Sequence, residues 1–307
     1  MYLAALFTLL QSVVTPTYPA NAQMVGVIVS ATHENTGEPV FDMAADDFVV
    51  LEDGKRQQIT HFQREDVPAS VLILLDTSLS MRGFMPEIRD SAMNLIRSLR
   101  PIDEVHVATF DVGYRVLSDF TEDHEAAIAS LNLMRPGGPT NLNQSLYVAT
   151  RYLERQHRGE VRRRRILVLL SDGEDTESSQ SYSVIEETIR RSSVVCYVVY
   201  IQRADTRGTL TQLLKRQAVL ARRATQFVQT IVFDTGGKLR TIKDPYPRMM
   251  ITRAFVDIAK DIGNQYYLGY PLARTTNDSG WKKVSVMTVR RSDVRLRYRT
   301  SYFFEAK

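Results

Sequence analysis

Hydrophobic positions fall into two regimes along the chain. Val71 to Leu75, Val105 to Phe110, Ile166 to Leu170 and Val194 to Ile201 are apolar on successive residues, His106 and Thr109 excepted, the pattern of strands covered on both faces. Between them the spacing changes to that of helices. Pro86 precedes the stripe Ile88, Ala92, Leu95, Ile96 and Leu99; Leu142, Leu146, Ala149 and Leu153 form a second; Ile251, Ala254, Phe255, Ile258 and Ile262 a third. A longer helix is predicted from about Leu210 to Ile231, stopping near Gly236-Gly237. Strand and helix alternation of this kind predicts a doubly wound, mostly parallel α/β sheet over residues 67–263.

The flanks differ. From Met24 to Phe62, Val25, Val27 and Val29 alternate with other residues, and Asp53-Gly54 predicts a hairpin joining Phe48–Leu51 to Ile59–Phe62. After Gly263 come three strand patterns: Gln265 to Tyr270, Trp281 to Val289 and Val294 to Arg299. The simplest arrangement pairs the segment 23–66 with 264–307 in one small antiparallel β-domain, with the α/β unit inserted between them. Leu3 to Val14 is mostly apolar but too short to span a bilayer, and Ala20-Asn21-Ala22 has the form of a cleavage site. Residues 1–22 are therefore expected to be a signal peptide, and the protein to be exported: periplasmic, in the cell envelope or secreted.

Composition narrows the partner. With 307 residues, 44% hydrophobic and a formal charge of +4, the chain is ordinary globular material and too weakly basic to be read as a nucleic-acid binder. The single cysteine, Cys196, sits in an apolar run and is expected to be buried and inert.

Candidate chemistry sits where the apolar strands end. Asp76-Thr77-Ser78-Leu79-Ser80 closes the first, Ser171-Asp172-Gly173 the third, and Gly137-Gly138-Pro139-Thr140-Asn141 precedes a helix. In a parallel sheet these loops gather at the carboxyl edge, the usual ligand side. A magnesium-sized cation takes about six oxygens and keeps several waters, so few carboxylates plus hydroxyls suit it. Asp76 and Asp172 would supply charge, directly or through water, and Ser78, Ser80 and Thr140 would supply hydroxyls.

This set resembles the metal-ion-dependent adhesion site of von Willebrand factor type A domains, a Rossmann-like fold. The flanking Asp47-Phe48-x-Val50-Leu51-Glu52-Asp53-Gly54 and Gln265-Tyr266-Tyr267-Leu268-Gly269-Tyr270 are similar to an exported bacterial branch carrying that domain. The resemblance implies non-enzymatic, metal-mediated protein binding, usually with Mg2+ and alternatively Mn2+ or Ca2+. Ser78, Ser80 and Thr140 would be direct ligands, Asp76 and Asp172 would act largely through water, and a partner protein's Asp or Glu would complete the shell. Leu79 stands where many members carry glycine, and the helix near 210–231 is longer than usual.

Three competing readings follow from the same residues. A magnesium-dependent phosphoryl-transfer enzyme would want a second carboxylate two residues after Asp76, where Ser78 stands. Arg162 to Arg165 with the Arg295, Arg297, Arg299 face could bind a polyanion or envelope surface, against the simpler reading of solvated edges. The acidic run Asp172, Glu174, Asp175, Glu177 resembles part of a calcium loop but lacks the full pattern, and Glu174 and Asp175 are expected to act as electrostatic surroundings of the main site.

Overall fold

The computed structural model describes residues 24–64, 67–156, 163–173, 175, 178, 180–202, 211–243, 249–272 and 279–306, the side chains of 211–221 excepted. The expected leader, Arg162, Glu174 and Glu177 lie outside the described residues. Strands β1 (Met24–His33), β2 (Phe48–Glu52), β3 (Lys55–Gln57) and β4 (His61–Arg64) precede the α/β unit. That unit runs β5 (Ala69–Asp76), α1 (Met85–Arg97), β6 (Glu104–Phe110), β7 (Tyr114–Thr121), α2 (His124–Ser130), α3 (Leu142–Arg155) and β8 (Arg164–Ser171). It continues with α4 (Tyr182–Arg191), β9 (Val195–Gln202), α5 (Thr211–Thr235), β10 (Leu239–Lys243) and α6 (Met249–Gly263). The chain then closes with β11 (Gln265–Pro271), β12 (Gly280–Thr288), β13 (Val294–Tyr298) and β14 (Ser301–Phe304).

The central sheet has the order β10-β9-β8-β5-β6-β7, parallel except for β7 at one edge. Each residue of β5 is buried, because successive side chains enter opposite cores. Val71, Ile73 and Leu75 pack with α1, α2 and α6, while Leu72 and Leu74 pack with α3, α4 and α5. The fold is thus a doubly wound α/β sheet, as its apolar runs predict. Helix α1 follows β5 on one face and α4 follows β8 on the other, so the loops leaving these neighbouring strands diverge and open a crevice between them.

Two antiparallel four-stranded sheets, β13-β1-β11-β4 and β14-β12-β2-β3, are built jointly from the two ends of the chain. Their shared core includes Val27, Val29, Phe48, Val50, Tyr266, Leu268 and Val286. The Asp53-Gly54 turn does make a hairpin, but its return strand is Lys55–Gln57. Ile59 to Phe62 instead leads into β4 beside β11 in the other sheet, because Tyr266 offers Phe62 a ring partner at 5.9 Å. Among the described residues no helix is long and apolar enough to cross a membrane.

Three of the basic residues depart from the solvated-surface reading, while Arg295 keeps to it at 70% exposed. Arg164 is 6% exposed and donates to the Ile262 carbonyl (2.6 Å), Gln265 Oε1 (2.7 Å) and the Val67 carbonyl (3.0 Å). Arg297 donates to the Asp261 carboxylate and the Gly237 carbonyl, and Arg299 to the carbonyls of Arg190 and Val194. Asp261, 2% exposed, also accepts from Ser30 Oγ at 3.1 Å and the Tyr197 hydroxyl at 2.6 Å. These groups join the β-domain to α6 and the central sheet, so they are spoken for by the fold. Cys196 is buried as expected, and burial pushes its thiol up to about 12.

Removing one member of a buried charged cluster leaves the others desolvated and unmatched. Asp261→Ala should therefore cost about 3–5 kcal/mol of stability, read from the shift of the urea midpoint. A loss under about 1 kcal/mol would show that the joint contributes little.

Candidate metal centre

The centre starts at the last residue of β5. Asp76, Thr77 and Ser78 are all buried, 0%, 0% and 1% exposed, although each is polar. Each therefore needs a partner. The Ser78 amide donates to Asp76 Oδ1 at 2.9 Å, and the Thr77 amide and hydroxyl both donate to the Phe110 carbonyl, at 2.9 and 3.1 Å. A short helical turn, Leu79–Phe84, begins directly after Ser78. It brings Ser80 Oγ to 3.0 Å from Ser78 Oγ and leaves Leu79 56% exposed.

The second wall is the end of β8. Leu75 pairs with Leu170, so Asp76 stands level with Ser171, whose hydroxyl donates to Asp76 Oδ2 at 2.6 Å. Asp172 follows, 5% exposed, and its carboxylate raises the Asp76 carboxyl. Burial is the larger cause, and together the two push Asp76 up to about 7 against hydroxyl and amide hydrogen bonds from Ser171 and Ser78. The groups opposing the shift are neutral donors, not a basic side chain.

The third wall is the glycine loop. The Gly137 amide donates to the Thr77 carbonyl at 2.7 Å, and the Leu79 amide to the Gly138 carbonyl at 3.1 Å. Thr140, two residues on, is 4% exposed. Glycine is required at 137 by close approach: a Cβ there would lie 1.7 Å from Asp111 Oδ2.

The structure thus brings Asp76, Ser78, Ser80 and Asp172 to one crevice and ties the Thr140 loop to it through backbone hydrogen bonds. Ser171 and Asp111 belong to the same neighbourhood, although no local sequence signal marks them. Asp111, 3% exposed, follows β6, and its carbonyl accepts from the Asn141 amide at 2.8 Å. Asp175 also has a structural use: it accepts from the Asn143 amide (2.8 Å) at the start of α3 and from the Ser178 amide (2.9 Å). Helix α3 is in effect capped from another loop, a use that local spacing does not signal.

Among the described residues there is no group of three or more His, Cys, Asp or Glu side chains able to hold a metal. A cation here would have to rely on hydroxyls. The donor set fits one: two carboxylates side by side out of water repel each other, and hard oxygen donors stand next to them.

A doubly wound α/β domain with carboxylates and hydroxyls gathered at its carboxyl edge defines a class of ligand-holding domains. Residues 71–174 match the von Willebrand factor type A domain model. The heavy chain H4 of the inter-alpha-trypsin inhibitor from Sus scrofa is 27% identical over 133 residues, 41% of this chain and 14% of that protein. Its counterpart from Mus musculus is 24% identical over 146 residues, covering 44% and 16%. The match thus spans only a small part of these relatives' length. Among solved structures, the von Willebrand factor type A protein from Catenulispora acidiphila superposes with a TM-score of 0.50 at 11% identity, covering 93% of this chain and 74% of that one. The pilus adhesin SpaC from Lactobacillus rhamnosus GG, in its open conformation, gives 0.50 at 11%, covering 89% and 48%. At such identities the structural likeness concerns the fold alone.

Two outcomes follow. Because the folded carboxyl of Asp76 sits near 7 against 3.8 in the open chain, folding takes up a proton between those values. The metal-free protein should lose stability as pH rises through that window, and a dication should restore it, so millimolar Mg2+ should raise Tm more near pH 8 than near pH 5. An equal rise at both would contradict the placement of the charge. Gly137→Ala should destabilise the protein by about 1–3 kcal/mol, with partial rescue by Asp111→Gly; no loss in the single variant would mean the loop yields freely.

Proposed function

We propose that the chain is a non-enzymatic protein-binding module. Asp76, Ser78, Ser80, Thr140 and Asp172 hold one divalent cation, Mg2+ in the first instance, and an Asp or Glu of a partner protein fills the remaining coordination position. The observation that carries this reading is the pair of buried carboxylates, Asp76 and Asp172, set beside the Ser78 and Ser80 hydroxyls at 3.0 Å from each other. A cation supplied there would offset the repulsion and attract an anionic group from outside. The residue two places after Asp76 is a serine, which disfavours the phosphoryl-transfer alternative. Of the arginines invoked for a polyanion surface, Arg164, Arg297 and Arg299 are bonded to carbonyls or a carboxylate within the fold instead of forming an open basic face.

The rim suggests what accompanies the partner's carboxylate. Leu79 and Val112, 56% and 57% exposed, both adjoin Gly138. An acidic residue followed by an apolar one would bury that pair while ligating the metal, and protein adhesion is one form such binding could take. On this reading the chain divides into a leader, 1–22, a first β-segment, 23–66, the type A domain, 67–263, and a second β-segment, 264–307, in an exported protein.

The test is metal titration by calorimetry on chelator-stripped protein, followed by partner capture from a cell-envelope extract with Mg2+ or with chelator. One Mg2+ per chain is expected, with capture lost on chelation. Thr140→Ala should weaken capture, and Asp76→Ala or Ser78→Ala should abolish metal uptake. Stoichiometric uptake by the Asp76→Ala, Asp172→Ala double variant would refute the assignment.

A further inference from the structure

At the opposite end of the central sheet, a cavity of about 700 Å³ lies between the start of β8 and the β-domain. Five arginines line it, Arg163, Arg164, Arg165, Arg191 and Arg299, against one acidic residue, Glu305, among the described lining residues. The other wall is apolar and aromatic, with Tyr267, Tyr302 and Phe303.

The form of the cavity is set by strand edges. Met24 to Ile28 all line it, five residues in succession, as do Tyr302 to Ala306. A strand that presented a face would contribute alternate residues, so Met24–Ile28 of β1 and Tyr302–Phe304 of β14 present backbone edges. Pairing agrees: β1 pairs with β11 along Met24–Ser30, but with β13 only along Val29–His33. On the β13 side, residues 24–28 therefore carry no neighbouring strand among the described residues. Strand β14 pairs with β12 on one side, and no strand is described on the other.

The charge is likewise only partly matched from within. Arg164 is committed to the fold, and Arg163 to Glu122 at 2.6 Å. Arg191 pairs with Glu187 at 2.6 Å while its guanidinium lies 3.9 Å from the centre of the Phe303 ring. Arg299 uses carbonyls as acceptors, and no carboxylate among the described residues lies within ion-pair distance of it. A guanidinium has five donors, so capacity remains for a carboxylate brought from outside.

We propose that this slot binds an extended peptide bearing acidic side chains, which adds as a strand along Met24–Ile28 while Arg165, Arg191 and Arg299 receive its carboxylates. A free anion or a fatty acid would answer the arginines but leave the open backbone edge unmet. An extended acidic chain answers both. Five residues of strand span about 17 Å, the length of the exposed edge. The site lies at the start of β8, and Ser171 and Asp172 lie at its other end, so binding is independent of the metal.

Fluorescence anisotropy on the full chain tests this with a labelled, end-capped Val-Glu-Val-Glu-Val peptide, its lysine counterpart, and a version N-methylated at alternate amides. Micromolar binding of the acidic peptide is expected, unchanged by chelator, with the lysine peptide inactive. N-methylation should weaken it by at least about tenfold, since it deletes several main-chain hydrogen bonds and leaves the charge intact. Arg299→Gln should weaken it severalfold; Arg165→Gln, at a half-exposed position, repeats the test where the first variant fails to fold. Hydrogen exchange at the Met24–Ile28 amides should slow on addition of peptide. Equal affinity of the N-methylated peptide, binding of phosphate or decanoate without binding of the peptide, or affinity that depends on divalent metal would each overturn the proposal.

Discussion

Two carboxylates are held side by side out of water at the top of this molecule, and most of what surrounds them can be read as a response to that constraint. Adjacent strands in a sheet lie only about 4.8 Å apart, so the register that pairs Leu75 with Leu170 forces the residues just beyond them into proximity. Those residues are Asp76, Ser171 and Asp172. In a dry crevice the repulsion between the acids is far stronger than it would be in water. Ser171 and Ser78 each offer a hydrogen bond to Asp76, and the loops are cross-tied through Thr77, Gly137, Leu79 and Gly138. Neutral donors soften the repulsion without removing it, which leaves the crevice electrostatically prepared for a cation.

The bottom of the molecule solves the inverse problem. There the buried charges are chiefly guanidinium groups, and the fold meets most of them with carbonyls or with the carboxylates of Asp261 and Asp103. Because these contacts reach from β13 and the segment after it into α6, β9 and the turn after α4, the β-domain is fastened to the α/β unit by directed bonds as well as by packing. Helix α6 is held by its carboxyl-terminal end, where Asp261 and the Ile262 carbonyl both take part.

The parts of this architecture legible in the sequence are those that depend on local pattern. Continuous apolar runs mark buried parallel strands, and the three-and-four spacing of Ile88 to Leu99 marks a helix. What escaped was decided elsewhere in the chain. Strand β7 is half-exposed throughout and has no apolar run to betray it. Arg297 and Arg299 look like an outward face until Asp261 and two remote carbonyls are placed beneath them. The hydrogen bond from the Asn143 amide to Asp175 is invisible until α3 is placed beside that loop. The grouping of Asp76, Ser78, Ser80 and Asp172 was readable because each sits at a strand exit, whereas Ser171 and Asp111 act through geometry that only the register creates.

Strand β8 connects the two regions directly. It carries Arg164 at its first residue and Ser171 at its last, seven residues on, so about 23 Å of extended chain separates the arginine-lined slot from the carboxylate crevice. Both faces of the strand are packed, and close-packed interiors of this kind deform little. Sites so far apart, with no shared side chain, contribute additively to binding. A ligand at one end would therefore not need to alter affinity at the other for both to be used. If two partners occupy the ends, the domain is a rigid link between them. If one partner supplies both the metal-ligating acid and the acidic strand, the second contact forms at the effective concentration set by the chain joining them, and tight association follows from two individually modest sites.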